Sequence, residues 1–522
     1  MKYETYARKI APQPEVDFLS EIVLTADRSL MSQYGGSIFM GFAACAPKLI
    51  PDWLYRMILC PPVPENGGTA KFAPCGTRKM EAALLEQGFD VKVAHPDHLH
   101  KVVGPETKAI GITANDPLGL GPASSTFSSL VGKETYSALF YRKLITDPLL
   151  RAKGAKIIAG GPGAWQLADE RIATKLGIDC VVVGEGEITG VEMFRRAVEG
   201  KELPRIVEGE VVPLDKIPVI KNPTICGLVE IARGCGKGCR FCIPTLQQLR
   251  CRPIEKIMEE IRVNLSAGAK GALLHAEDTL RYGANGPIPN EEKVIELFSS
   301  ALKLTPYVWI SHFAFSSVAA RPSLVQRITE MLSSAASDFT YLAGQVGIET
   351  GSVRIVEKHM RGKALPFKPE EWPDVVVEAH KILAENRWIP CSTLIMGLPG
   401  ETPDDTMKTL ELLERIKDYM SLIVPLFFVP IGGLEGERFF GVKDMRPDHW
   451  QLMAACLRHD FKWVEKLADD HFRDSRVQKT VIKGVILRAI KRAVKPYLKM
   501  MEEGINPIYP NSNRPASEPS NF

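Results

Sequence analysis

Three cysteines, Cys235, Cys239 and Cys242, stand as C-x3-C-x2-C in the run Cys235-Gly-Lys-Gly-Cys239-Arg-Phe-Cys242. Three thiolates on one tight loop can hold three irons of a 4Fe–4S cluster. The fourth iron then has no protein ligand, whereas ordinary electron-transfer clusters use four cysteines and close that position. An open metal position is what substrate chemistry needs, as at catalytic zinc. Gly236 and Gly238 let the loop wrap closely and leave backbone N–H groups free to approach the sulfurs. A structural zinc site with Cys251 or Cys226 as fourth ligand is the other reading, although the spacing lacks two C-x2-C knuckles.

Further polar and glycine-rich segments fall beyond candidate strands. Downstream of the cysteines they are Glu277-Asp278 after His275, then Gly347-Ile348-Glu349-Thr350-Gly351-Ser352, then Gly397-Leu398-Pro399-Gly400-Glu401-Thr402. Upstream they are Asn115-Asp116-Pro117-Leu118-Gly119, Gly160-Gly161-Pro162-Gly163 and Gly184-Glu185-Gly186-Glu187, with hydroxyls from Ser124, Ser125 and Thr126 nearby. In an open α/β sheet such loops lie at the carboxyl edge, where ligands bind. The other reading of the upstream set is a doubly wound domain with ordinary glycine turns and no cofactor. His275, His312 and Trp309, on or beside predicted strands, are candidates to touch substrate or to be buried and satisfied.

The elements that must position these loops form two alternating series. The first, from about residue 55 to 200, has the apolar run Tyr55 to Cys60, a helix from Thr77 closed by Gly88, and strands at Phe89–Ala94, Ala109–Thr113, Lys156–Ala159 and Cys180–Val183. This alternation predicts a doubly wound, mostly parallel sheet. Residues 203–222, with Pro204, Pro213 and Pro218, read as a connector. The second series, about 223–435, has a strand at Ile225–Ala232, a helix from Pro253 to Gly268, and strands near 272–275, 308–310, 345–348, 393–396 and 426–429. Six strands with helical links predict a partial barrel with its chemistry at the carboxyl ends. The expected divisions are an extension (1–50), the doubly wound domain (51–205), a linker (206–222), the barrel (223–435), a helical region (436–504) and a disordered tail (505–522).

The cysteine run, with Phe241 as the aromatic before the third cysteine, resembles the signature of the radical S-adenosylmethionine superfamily. The resemblance implies a 4Fe–4S cluster whose open iron is chelated by S-adenosylmethionine, which is cleaved to methionine and a 5′-deoxyadenosyl radical. It implies that Glu277 and Asp278 bind the cofactor's amino group, that Glu349 accepts a ribose hydroxyl beside Ser352, and that Gly397, Leu398 and Pro399 border the adenine. The upstream loops resemble the cobalamin-binding domain of cobalamin-dependent radical enzymes. This implies cobalamin contacts from Asp116, Pro117, Leu118, Gly119, Ser124, Gly160, Gly161, Pro162, Gly184, Glu185 and Gly186. The Asp-x-His-x-x-Gly motif that ligates cobalt is absent: His95, Asp97, His98 and His100 do not match its spacing. The activity so implied is methylation of an unactivated carbon through methylcobalamin, with a ferredoxin-like electron donor.

Within that class Pro51–Tyr55, Ala73–Lys79 and His275–Asp278 look like archaeal members, among them enzymes that C-methylate a glutamine of methyl-coenzyme M reductase; a protein or peptide substrate would follow. Other readings are a radical cyclase or ring-rearrangement enzyme, a methylthiotransferase using Cys45, Cys60 and Cys75 for a second cluster, and a non-enzymatic metal scaffold. The 522 residues carry 65 Lys+Arg against 62 Asp+Glu, a net +3, so no global basic field points to nucleic acid. No stretch reads as a membrane span or secretory signal, and the expected location is the cytoplasm. From Arg476 to Lys499 the sequence is basic and amphipathic, expected to pack its apolar face on the protein's own core.

Overall fold

The computed structural model describes residues 20–33, 43–152, 154–471 and 488–509. The first domain is built on six parallel strands: β1 (Ile22–Ala26), β2 (Val91–Val93), β3 (Ala109–Thr113), β4 (Lys156–Gly160), β5 (Cys180–Val183) and β6 (Ile206–Glu208). Their order is β2-β1-β3-β4-β5-β6. All five residues of β1 are buried, the continuous apolar run expected of a strand covered on both faces by helices. The residue types make the layers fit closely: a Cβ at Gly111 on β3 would lie 2.4 Å from Leu24 Cδ2 and 2.6 Å from Phe194 Cζ.

Three expectations are corrected here. The segment 1–50 is not a mere extension, because β1 within it is an inner strand of the sheet. The apolar run from Tyr55 belongs to a helix, Asp52–Ile58, whose Tyr55 ring stacks on Tyr136 at 3.5 Å. The connector contributes β6, which adds to the sheet through Val182 and Val207.

The second domain carries β7 (Leu228–Glu230), β8 (Ala272–His275), β9 (Val308–Ile310), β10 (Leu342–Glu349), β11 (Trp388–Met396) and β12 (Leu422–Phe427). They are parallel and stand in sequence order; β9 meets β10 through a bridge between His312 and Gln345. Together with the helices between them they form a six-stranded partial barrel, and the architecture is α/β throughout. The helix Ile254–Ser266 buries Ile257, Met258 and Ile261 and is followed by Gly268 at φ 92°, as its spacing and glycine predict.

The outer edge of β12 is covered by the first domain's helix Pro122–Val131. Thr126 Oγ1 accepts the Phe427 N–H at 2.7 Å, and Ser129 Oγ accepts the Val442 N–H at 3.0 Å. A strand edge without a partner strand thereby has its donor satisfied. C-terminal to the barrel lie the helices Pro447–His471 and Arg488–Glu502. Met501 is buried and Leu498 packs beside it on the barrel core, while Ile490 and Tyr497 are exposed. The amphipathic sequence before Arg488 and the tail from residue 510 onward lie outside the described residues. No described helix is long and apolar enough to cross a membrane.

Candidate active site

The cysteine loop opens from a two-residue strand, Ala232–Arg233, that pairs antiparallel with Arg250–Cys251. The pairing pins both ends of the loop at the carboxyl end of β7. Gly234, Gly236 and Gly238 have φ of 70°, 67° and 67°, so the chain coils through the left-handed region at alternate residues. The Gln247 amide donates to the carbonyls of Cys239 (3.1 Å) and Cys242 (3.2 Å). Arg281 donates to the Cys235 carbonyl, and the Arg240 N–H donates to the His359 carbonyl at 2.8 Å. Two later loops press on it so closely that a Cβ at Gly362 would lie 2.1 Å from Lys237 O, and one at Gly432 2.1 Å from Cys242 O. The barrel thus fixes the cysteine loop from several strands at once.

Burial, with charge on Cys235 as a smaller contribution in the same direction, brings the Cys239 thiol up to about 11 and the Cys242 thiol up to about 12. The thiols therefore sense one another, and Lys363 and Lys237 supply opposing positive charge at Cys239. Among the described residues no three His, Cys, Asp or Glu side chains converge on a single ion. A cluster takes one thiolate per iron, so it needs no such convergence. Three mutually coupled thiols on a glycine-coiled loop, backed by buried cations, fit a cluster ligand set; loading it would release the thiol protons.

The residues expected around the cluster divide into two groups. Glu277 is half-buried and close enough to Cys242 for its charge to raise that thiol. Phe241 and Leu398 pack in one apolar cluster with Ile355 and Phe428, which brings the aromatic of the cysteine run to the Gly397-Leu398-Pro399 loop. The others serve the protein itself. Asp278 accepts from Ser317 Oγ at 2.7 Å and lies 3.7 Å from Lys237 Nζ, anchoring the cysteine loop. Ser352 caps the helix Val353–His359 and donates to Asp405. Pro399 lends its carbonyl to His359 (2.9 Å), and the Gly397 N–H is held by Glu401 (2.8 Å). The Glu349 carboxylate meets Lys363 Nζ at 2.6 Å and accepts from Thr393 Oγ1 at 3.1 Å. Lys363 lies 14 residues beyond Glu349, and no motif spacing marks it in the sequence.

His275 and His312 come together, their ring centroids 5.7 Å apart. Nδ1 of each lies 2.9 Å from Ser311 Oγ. The Ser311 hydroxyl thereby bridges the two imidazoles, and the Ala276 carbonyl lies 3.4 Å from the same hydroxyl as a further acceptor. Burial lowers both, His312 to about 4, and keeps the pair neutral near pH 7. Trp309 points outward and is 37% exposed.

In the first domain the strand order reverses between β1 and β3, which makes the crevice at their carboxyl ends the ligand position of an open α/β sheet. Asp27 follows β1 there. Burial pushes it up to about 6, against hydrogen bonds from Ser29 and Leu30 and with Asp116 adding to the rise. The buried Tyr141 hydroxyl, close enough to sense the Asp27 charge, has no hydrogen-bond partner. An unmet buried donor at the switch point fits a ligand in that crevice.

The anticipated loop residues mostly hold the loops together. Asp116 accepts from Gly121 N–H (2.9 Å), Gln166 Nε2 (2.7 Å) and Ser137 Oγ (3.4 Å), and Leu118 N–H donates to Gln166 (2.9 Å). Ser124 lies 3.4 Å from Ser137, and Gly119 turns at φ 70°. A Cβ at Gly161 would lie 2.8 Å from Ala114 O, one at Gly184 3.1 Å from Gly209 O and one at Gly186 2.9 Å from Met80 Cε; Gly160 has ordinary clearance, and Pro162 follows Gly161 in the chain. These glycines permit close approach of the chain to itself.

Glu185 crosses to the barrel. It pairs with Arg233 at 2.7 Å and with Arg250, while Glu187 also pairs with Arg233. Burial alone would favour a neutral acid at Glu230, yet Arg233 holds it down to about 2. At this contact, as at Thr126 and Phe427, the carboxyl edges of the two sheets face each other.

Residues 229–413 match the model of the radical SAM superfamily. Among curated relatives, ribosomal protein uS12 methylthiotransferase RimO of Desulforamulus reducens is 26% identical over 282 residues, 51% of this chain and 58% of that protein. The tRNA-2-methylthio-N(6)-dimethylallyladenosine synthase of Orientia tsutsugamushi is 23% identical over 300 residues, 55% of this chain and 62% of that protein. The chain therefore spans a little under two thirds of the length of both. Among solved structures, the radical S-adenosylmethionine methyltransferase TsrM of Kitasatospora setae, with cobalamin and a 4Fe–4S cluster bound, superposes with TM-score 0.52 at 13% identity, covering 80% of this chain and 74% of that one. The same enzyme with tryptophan substrate and a SAM analogue bound gives 0.50 at 15% identity, covering 80% and 75%. That likeness is one of fold.

Proposed function

We propose that this protein is a cobalamin-dependent radical S-adenosylmethionine methyltransferase that methylates an unactivated carbon. The observation that carries the reading is the facing of two carboxyl edges: a parallel sheet with its switch-point crevice, and a barrel whose first strand ends in a C-x3-C-x2-C loop, joined through Glu185 and Arg233. The fold shared with TsrM over both domains supports it. When bound, the cluster and the two cofactors supply hydrogen abstraction and a transferable methyl group.

The chain's own residues bind, orient and exclude water. Cys235, Cys239 and Cys242 hold the irons, and Glu277 receives the cofactor's ammonium group. Phe241 and Leu398 border the adenine. The loops carrying Asp116, Gly161 and Gly186 shape the floor beneath the corrinoid, with Tyr141 and Asp27 at its switch-point end. The neutral pair His275 and His312 faces substrate from the barrel. The acceptor we propose is a peptide side chain, with a glutamine of methyl-coenzyme M reductase the first to be assayed, on the strength of Ala73–Lys79 and His275–Asp278.

A second reading has one observation in its favour: the two curated relatives named above are a methylthiotransferase and a methylthio-adenosine synthase. Such enzymes ordinarily use three further upstream cysteines. Here Cys60 is held by Arg28, Cys75 is half-buried near Lys79 and Glu230, and Cys45 neighbours Ser124. These are three separate surroundings, so methyl transfer without sulfur insertion is the reading kept.

The test is anaerobic expression with cobalamin, then reconstitution with iron and sulfide. A corrinoid spectrum, about four irons per chain, an S-adenosylmethionine-dependent change in EPR, and one added methyl on a peptide acceptor support the proposal. About twice that iron and a methylthio mass increase would favour the second reading, and stoichiometric zinc would overturn both. Cys239→Ala should lose both the cluster and deoxyadenosine release.

A further inference from the structure

The ion pair between Glu349 and Lys363 is built at structural cost. Glu349 sits at φ 64°, a left-handed conformation that a residue with a Cβ rarely adopts. It ends β10, where the register against β11 slips between Gly347 and Glu349. The slip turns the Glu349 carboxylate back over its own strand, above Gly347. A Cβ at Gly347 would lie 1.7 Å from Glu349 Oε1 and 2.5 Å from Lys363 Nζ, so only glycine leaves room for the pair. Thr393 Oγ1, from β11, fixes the other carboxylate oxygen at 3.1 Å. Three features therefore converge on holding one ammonium group in place: a strained residue, an obligatory glycine and a hydroxyl from the neighbouring strand.

That ammonium group stands at the cysteine loop. The Lys363 side chain is only 15% exposed, and its charge acts on Cys239 and Cys242. The residue before it, Gly362, is pressed on that loop, where a Cβ would lie 2.1 Å from Lys237 O, and at Cys239 the lysine's charge acts more strongly than that of Glu349. The other buried cation at the loop, Lys237, has Asp278 and Ser316 as close partners. Lys363 lies outside every motif of the sequence.

We propose that Lys363, positioned by Glu349 across Gly347, raises the reduction potential of the cluster held by Cys235, Cys239 and Cys242. The inference rests on the cluster reading above. The step is a one-electron reduction by a low-potential donor: the cluster gains one electron and one unit of negative charge, and the donor is oxidised. A fixed cation in a low-dielectric site stabilises the more negative state more than the less negative one. Glu349 is thus a positioning residue that keeps the lysine charged and aimed.

The experiment is redox titration of the reconstituted cluster with dithionite, followed by EPR in the absence of S-adenosylmethionine. Lys363→Met should bind a full complement of iron and show a reduction equilibrium constant about tenfold lower, a fall of about 59 mV for one electron. Lys363→Arg should restore most of the shift. Gly347→Ala, which displaces the pair without removing a charge, should shift the potential the same way. If Lys363→Met keeps its iron and titrates with the wild type, the inference is overturned, and weakened S-adenosylmethionine binding with an unmoved potential overturns it equally. Should Lys363→Met lose iron, Lys363→Arg and Gly347→Ala decide in its place. A wild-type chain that takes up no cluster sinks the proposed function itself, a result distinct from any of these.

Discussion

Carboxylates, thiols and imidazoles in this protein are perturbed mainly by burial, and the sign of each perturbation has a consequence for stability. Asp27 has its pKa raised from the ordinary 3.8 to about 6. Folding therefore favours its protonated form, and the stability so gained is fully present below about pH 4 and lost as pH rises through about 6. A shift of roughly two units corresponds to about 3 kcal/mol. Asn at this position keeps the carbonyl oxygen that accepts from Ser29 and Leu30 while removing the charge. Asp27→Asn should match the wild type near pH 4 and exceed it by about 2–3 kcal/mol near pH 7.5 in urea unfolding of the cofactor-free protein. Equal stability of the two at pH 7.5 would mean that Asp27 is better solvated than its burial implies. His312 has the opposite sign: lowered to about 4, it contributes stability above its ordinary 6.5 that is lost as pH falls through about 4.

Secondary-structure elements that carry chemistry here were legible where both faces are buried and obscure where pairing is made by a few residues. β3 and β5 run through Ala109–Thr113 and Cys180–Val183 as their apolar runs indicate. β1 was not recognised, because Ile22–Ala26 stands alone in a segment without a clear helical neighbour before it. β6 is short and partly exposed within a proline-rich connector, so composition masked it. The cysteine loop was legible from spacing alone, whereas Lys363 was not, since its place depends on how β10 ends. Covering of β12 by the helix Pro122–Val131 is likewise invisible in sequence, although Pro425 suits an edge strand. This contact is open to measurement. Thr126→Val keeps the side-chain shape but leaves the buried Phe427 N–H unsatisfied, which should cost about 1–3 kcal/mol. Thr126→Ser should recover most of it. A neutral Thr126→Val would show that water or a shifted helix serves that N–H.

Across the whole molecule, the proposed chemistry needs two carboxyl edges held at a fixed separation, and buried charge does much of the holding. Glu185 leaves the first sheet and accepts from Arg233, Arg250 and the Val212 N–H, with its side chain 8% exposed. Desolvating these groups has a cost that their mutual attraction offsets only while the set is complete. Glu185→Gln removes one charge and leaves two guanidinium groups with reduced compensation. The expected penalty is about 3–5 kcal/mol, as for a broken buried pair. Because these partners join the two domains, the loss should appear first as separation of the domains: faster proteolysis within residues 209–222 and an earlier unfolding step, with the cysteine loop still able to bind iron. Arg250→Gln on the Glu185→Gln background should cost less than the sum of the single changes, since the second removes a charge the first had stranded. Additive penalties, or unchanged cleavage of the connector, would assign the joining of the domains to the apolar contacts and the Thr126 bond, and leave Glu185 as one local pairing among several.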